Sequence, residues 1–288
     1  MKTAVTLASG QLGTAIVHQL IKEVGKDNVI GIARTPEKIA HLEVETRRGD
    51  YNHQEHFDEA LKGVDSLVLI SGNDDPAKRI QQHRNVIEAA KRNGVRKIVY
   101  TSIIGADGET SFSPIVKSNR QTENDVMESG LEWVIGRNGI YIEPDIEYIP
   151  QYVKEGGVIN SAGDGKCAYT SRKELAYAYS QMLLKEEHDG QVYALVGRPI
   201  TQYELVEVIN KVYDTSLTYT AVSVEEYEKE RKEALGDFLG TIISGIYNSI
   251  QVGAYDIPSG FEQAAGRPHL PPLEMIEHIK ASAENGVG

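Results

Sequence analysis

The sequence predicts an α/β fold, a doubly wound parallel sheet with a small α/β lobe built from its C-terminal half. Three observations predict it. Thr3 to Thr6 reads as a short buried strand running into a glycine-containing turn, Thr6 to Gly13, and then a helix. Strand and helix periodicities alternate from there to about Tyr100, which calls for parallel strands joined by right-handed crossovers, with helices on both faces. Beyond Pro144 the segments shorten and the alternation loosens, as in a lobe added to a finished sheet.

Each element follows from its pattern. After Gly13 the apolar residues Ile16, Val17, Leu20, Ile21 and Val24 recur at helical spacing. Val29 to Ala33 reads as a second strand, and Val44 to Asp50 as a third, made less apolar by Arg47 and Arg48. Phe57, Ala60, Leu61 and Val64 mark the next helix, and Ser66 to Ile70 a strongly buried strand. Ile80, His83, Val86, Ile87 and Ala90 give a helix ended by Gly94, and Lys97 to Thr101 the strand after it. A helix over Asn119 to Ser129 and a sixth strand over Leu131 to Gly136, with the single tryptophan Trp133, complete a dinucleotide-type domain set at 1–143. The smaller lobe is set at 144–288. It holds a turn around Gly163, Asp164 and Gly165 within Val158 to Cys167, then helices over Glu174 to Leu184, Glu204 to Val212 and Ser223 to Leu235. Strands are predicted at Gln191 to Val196 and Leu217 to Val222, with some segments returning to the main sheet, and the charged run Glu225 to Glu233 reads as a solvated helix face.

Composition narrows the function. A formal net charge of −12 argues against nucleic acid, whose partners concentrate Lys and Arg. The single cysteine, Cys167, allows no internal disulfide and suits a reducing compartment. The N-terminus shows no signal-length apolar core, and no run approaches the ~20 apolar residues of a membrane span. A cytoplasmic protein with no membrane partner is expected, and no His, Cys or carboxylate spacing suggests a metal.

The turn Thr6, Leu7, Ala8, Ser9, Gly10, Gln11, Leu12, Gly13 carries the most chemistry. Between a strand and a helix, such a turn holds a dinucleotide pyrophosphate on backbone amides at the helix N-terminus. The pattern G-x-x-G-x-x-G would place a glycine at position 7, where this chain has Leu7. Gly10 and Gly13 remain to let backbone approach phosphate and helix approach strand. Arg34 ends the second strand, and no Asp or Glu lies between Val29 and Pro36. That suits a 2′-phosphate rather than a free ribose hydroxyl, and so NADP(H). Asp50 could accept from an adenine amino group or simply form a turn. Ser71, Gly72, Thr101 and Ser102 end the two central strands, where ligands sit in such sheets.

TLASGQLG at 6–13, IARTPEK at 32–38, RRGDYN at 47–52, LVLISG at 67–72, QHRNVIEAAKRNGV at 82–95, IVYTS at 98–102, RNGIY at 137–141 and AGDGK at 162–166 together resemble the NmrA-like branch of the atypical short-chain dehydrogenases. Within it the chain is most similar to quinone and triphenylmethane reductases, in register over nearly its whole length. The resemblance implies a Rossmann domain, a small lobe closing over the nicotinamide, and hydride transfer to a quinone-like or dye-like small molecule. It also implies that the Tyr-x-x-x-Lys pair of the wider superfamily is absent, since Ile115 and Asn119 stand in its places and Lys117 is out of register. Asn138 and Tyr141 are then the candidates for shaping the acceptor site, with Phe112, Tyr148 and Tyr169 as aromatic walls. His83 reads as a packed helix residue and Cys167 as an unactivated thiol. Other members of the branch bind the cofactor as redox-sensing regulators, and loss of the nucleotide is a third possibility. The sequence leaves open whether the chain is a monomer or a homodimer.

Overall fold

The computed structural model describes residues 1–106 and 110–284. Strand β1 (Thr3–Val5) leads to helix α1 (Gln11–Val24), β2 (Val29–Ala33), β3 (Glu45–Arg48), α2 (Gln54–Ala60), β4 (Ser66–Ile70), α3 (Pro76–Arg92), β5 (Lys97–Ile103), α4 (Ser113–Met127) and β6 (Glu132–Asn138). The second half runs β7 (Ile140–Tyr141), α5 (Glu143–Glu147), α6 (Ile149–Glu155), β8 (Gly157–Asn160), β9 (Lys166–Cys167), β10 (Tyr169–Thr170), α7 (Arg172–Leu184) and β11 (Gln191–Leu195). It ends with β12 (Ile200–Thr201), α8 (Gln202–Tyr213), β13 (Thr218–Ala221), α9 (Val224–Leu235), α10 (Asp237–Gln251), α11 (Phe261–Ala265) and α12 (Pro272–Glu284).

Seven parallel strands form the main sheet in the order β11-β6-β5-β4-β1-β2-β3. This is the Rossmann-type, doubly wound arrangement, with one strand from the second half, β11, added beside β6. The order reverses between β1 and β4, so the crevice above their carboxyl ends is where a ligand belongs. One face of the sheet buries Ile16, Val17 and Leu20 of α1 against Leu175, Tyr179 and Met182 of α7. The other buries Phe57, Val86, Ile87 and Val126 from α2, α3 and α4. At the outer edge β3 carries its charges half exposed, and Arg47 donates to the Ala60 and Lys62 carbonyls. Charged residues on an edge strand discourage pairing with another chain.

The boundaries shift where tertiary packing outweighs local signal. β5 runs to Ile103, β6 runs to Asn138, and α4 begins at Ser113. Pro114 at its start is favoured in a first turn, where its missing N–H would have had no partner. The lobe has its own core of Phe112, Ile146, Tyr152, Tyr169, Leu205 and Tyr255 among others. Helices α9 and α10 lie together over the mouth of the crevice, with the Tyr227 and Tyr247 rings in edge contact at 5.3 Å. Among the described residues no helix is long and apolar enough to cross a membrane.

Candidate active site

A single cleft of about 1180 Å³ runs from the glycine turn, over the ends of β4, β5 and β6, into the lobe. At its first end α1 begins at Gly10 with no side-chain cap and no acidic residue in its first turn. An uncapped, acid-free helix N-terminus opening on a cleft offers backbone amides and positive dipole to an anion. Ser9, Gly10, Gln11, Leu12 and Gly13 all line it. A Cβ at Gly13 would come within 2.3 Å of the Leu7 carbonyl oxygen and 2.9 Å of the Ala8 Cα, so this glycine is what lets α1 sit on the loop. Leu7 takes φ +49°, the left-handed conformation that glycine adopts without strain, and its carbonyl accepts the Gly10 amide at 2.9 Å. Leu7 lines the cleft, and its side chain packs against both cores of the sheet. Arg34 lines the same end, exposed. These residues fit a phosphorylated dinucleotide.

Three of the residues predicted from the sequence do not reach the cleft wall. The Thr6 hydroxyl is buried, 2.6 Å from the Tyr51 hydroxyl, and it accepts the Ile70 amide at 2.9 Å. Ala8 is buried and its amide donates to Ile32. Asp50 accepts the Asn52 amide at 3.0 Å, the turn-forming alternative. All three shape the loop framework through contacts that a strand-end position in sequence does not distinguish from ligand contacts.

In the middle of the cleft, Ser71, Gly72, Thr101 and Ser102 stand together. Thr101 Oγ1 accepts the Ser71 amide at 2.9 Å, and His83 Nε2 accepts the Gly72 amide at 3.0 Å. His83 is fully buried, and its Nδ1 therefore carries the proton toward Thr122. Burial, then the nearby Arg79 charge, pulls the imidazole down to about 3, so it stays neutral. Ser102 donates to Glu123 at 2.5 Å. Burial would raise that carboxyl, but hydrogen bonds from Arg137 and Ser102 and the Arg120 and Arg137 charges hold it below its ordinary value. Asn119, on α4, accepts the Tyr100 hydroxyl at 2.8 Å and bonds back to the Ile115 carbonyl, so its polar atoms are engaged.

Asn138 ends β6, almost buried, with Oδ1 2.5 Å from the Tyr179 hydroxyl and Nδ2 donating to Tyr141 at 3.1 Å. Tyr141 lies under the Arg172 guanidinium, 5.5 Å from its ring centre, and burial pushes its hydroxyl up to about 12. Phe112, Tyr148 and Tyr169 line the lobe end, as do Tyr152, Tyr227, Tyr247 and Asp145, while Arg79 lines the middle of the cleft beside Ser71; these last five carry no site prediction from sequence. Arg79 is 4% exposed, donates to Ser71 at 2.5 Å, and its Nε meets no partner. An arginine among the apolar residues of a helix face was the signal available for it. The charged residues from Glu225 to Glu233 are exposed or half-exposed, the solvated face expected, and Tyr227 is the buried side chain on the inner side of that helix. Cys167 is fully buried and its thiol is pushed well up, which makes it inert. Outside the cleft wall, His53, Glu55 and His56 bring three possible metal-ligand atoms within 4.8 Å of one another near the start of α2, a grouping that residue spacing alone did not suggest.

Comparison with known proteins agrees with this geometry. The chain is 32% identical over 285 residues to quinone oxidoreductase 2 of Escherichia coli (strain K12), covering 96% of this chain and 98% of that one. It is 29% identical to an NmrA-like family domain-containing oxidoreductase of Aspergillus flavus, covering 97% and 95%. Its fold matches the Citrobacter sp. triphenylmethane reductase complexed with NADP(H) at TM-score 0.88 and 30% identity, covering 98% and 100%. A family model described as NAD(P)H-binding matches residues 8–186, and the chain belongs to that family, as an NmrA-like NAD(P)H-dependent oxidoreductase.

Proposed function

We propose that the protein reduces a quinone-like or dye-like aromatic acceptor with NADPH. The observation that carries this reading is the continuity of one cleft from an anion-binding glycine loop to a chamber walled by tyrosines and aliphatic residues. The cofactor, when bound, supplies hydride. Gly10 to Gly13 would hold its pyrophosphate, Arg34 its 2′-phosphate, and Ser71, Gly72, Thr101 and Ser102 its remaining length. The buried cation Arg79, with no carboxylate partner among the described residues, adds positive charge beside Ser71. Asn138 and Tyr141, tied to Tyr179 and Arg172, form a rigid polar edge against which an acceptor ring can be oriented.

Ile115 and Asn119 leave no tyrosine base for alcohol oxidation on α4. Reduction of an electron-poor acceptor needs less, because positioning in a dry site supplies most of the rate. Calorimetric titration with NADPH followed by a quinone-dependent absorbance assay tests the reading. Binding with turnover supports it. Binding without turnover would make the chain a cofactor sensor, and no binding would make the loop a relic.

A further inference from the structure

Of the carboxylates that line the lobe end of the cleft, one is buried and left unused by the reductase reading. Asp145, the third residue of α5, lines the chamber four positions after Tyr141 and is 6% exposed. No cation pairs with it among the described residues. Its Oδ1 accepts from the Tyr152 hydroxyl at 3.0 Å and faces the Tyr247 hydroxyl at 3.4 Å, while Oδ2 has no hydrogen bond among the described residues. Phe112, Leu239, Ile242 and Ile246 give the same wall apolar side chains. An aromatic acceptor entering here would bury its ring against these side chains, and its oxygen would need a donor.

We propose that Asp145 is the proton donor of the acceptor chamber, protonating the oxygen that two-electron reduction leaves anionic. The proposal rests on the reductase reading and adds a residue to it. Hydride adds to the quinone-like acceptor, and the displaced electron pair settles on the acceptor oxygen. That oxygen takes the Asp145 proton, breaking the carboxyl O–H bond, and the carboxylate regains a proton from solvent when product leaves. The sum is NADPH, acceptor and one proton giving NADP⁺ and the reduced acceptor.

The electrostatics suit the role. Burial pushes the Asp145 carboxyl up to about 6, against the lowering effect of the two tyrosine hydroxyls. The titratable groups facing it are Tyr152 of α6, Cys167 of β9, Tyr169 of β10, Tyr227 of α9 and Tyr247 of α10, and burial raises every one of them. They are neutral around pH 7, so the carboxyl is the group that changes charge. The Arg231 guanidinium, also on the wall, is paired with Glu230.

The test compares two acceptors with the unaltered protein and Asp145→Asn. A quinone needs a proton on oxygen; a cationic triphenylmethane dye takes hydride at carbon and becomes neutral without one. In D145N, kcat for the quinone should fall about 10²-fold, while kcat for the dye at saturation and the calorimetric Kd for NADPH should not move. The unaltered protein should lose quinone kcat/KM above about pH 6, and D145N should lack that limb. Carbon-13 spectra of the aspartate-labelled, cofactor-free protein should show a carboxyl titrating in that range and missing from D145N. Equal loss on both acceptors, an unchanged quinone rate, or no such carboxyl would overturn the proposal. Absence of turnover of either acceptor by the unaltered protein would overturn the reductase reading itself, and this role with it.

Discussion

At the scale of single residues, Leu7 concentrates the competing forces. A non-glycine residue in the left-handed region costs on the order of 1–3 kcal/mol, and Leu7 holds φ +49° because its carbonyl is fixed by Gly10 and its side chain by both cores. Leu7→Gly loses burial and gains chain entropy, both of which destabilise. The observed φ adds strain relief on the other side, so the net change in stability should lie within about 1 kcal/mol. Because Leu7 also lines the cleft, the same variant should bind NADPH up to about tenfold more tightly, ~1.4 kcal/mol. Calorimetry together with a denaturant melt checks both halves, and weaker binding would show that Leu7 is an accommodated part of the loop. Arg34, exposed at the same end, is the residue proposed to favour a 2′-phosphate. Replacing it with Ala should remove most of a 10- to 100-fold preference for NADPH over NADH, roughly 1.5–3 kcal/mol. Equal affinities for both cofactors in the unaltered protein would remove the basis for that role.

At the scale of elements, the proposed acceptor edge is set by how α7 lies on β6. A Cβ at Gly136 would fall 2.5 Å from the Tyr179 hydroxyl, the group that reaches the Gly136 carbonyl at 2.9 Å and Asn138. Gly136→Ala should therefore displace the tyrosine, cost roughly 1–3 kcal/mol by overpacking, and lower kcat with little change in NADPH affinity. Paired denaturant melts, turnover and calorimetry would show it; full activity would mean that the Tyr179–Asn138 bond does not orient the acceptor. The lid obeys the same logic. Gly245 on α10 leaves no room for a Cβ, which would stand 2.5 Å from both the Phe112 amide nitrogen and the Ser111 hydroxyl. Close approach of two backbones is what lets α10 close the chamber over α4.

For the whole molecule, two buried groups make stability depend on pH with opposite signs. The His83 pKa is depressed, so its contribution is complete above the unfolded value near 6.5 and is lost as pH falls toward 3. Asp145 is raised, so its contribution is complete below about 3.8 and is lost as pH rises through about 6. His83→Gln should flatten the fall of the melting temperature between pH 7 and pH 4. Relative to the unaltered protein, Asp145→Asn should gain stability on going from pH 4 to pH 8, by about 3 kcal/mol at most. Parallel slopes for variant and parent across these windows would show that the groups open to water before the fold gives way.

Local chemistry alone determined the framework: β2 and β4 fall where their apolar runs end, and the glycine loop, Arg34 and the two central strand ends meet at the switch point as the alternating pattern requires. These features are legible because each rests on neighbours in sequence, a period of two or 3.6 and a glycine at a turn. Tertiary structure decided the rest. Thr6 and Asp50 sit at the right strand ends yet point into the framework, since side-chain direction there depends on Tyr51 and Asn52. Asp145, Tyr227 and Tyr247 come from three helices, the first and last of them 102 positions apart in the chain. Helix α10 is built largely from Ile, Gly and Ser, whose intrinsic helix propensity is weak. It is held because Tyr247 and the isoleucines bury against the lobe. Leu239, Ile242, Ile243, Ile246, Tyr247 and Ile250 nonetheless recur at helical spacing, so its existence was legible in the sequence, and only what it packs against was decided by the tertiary structure.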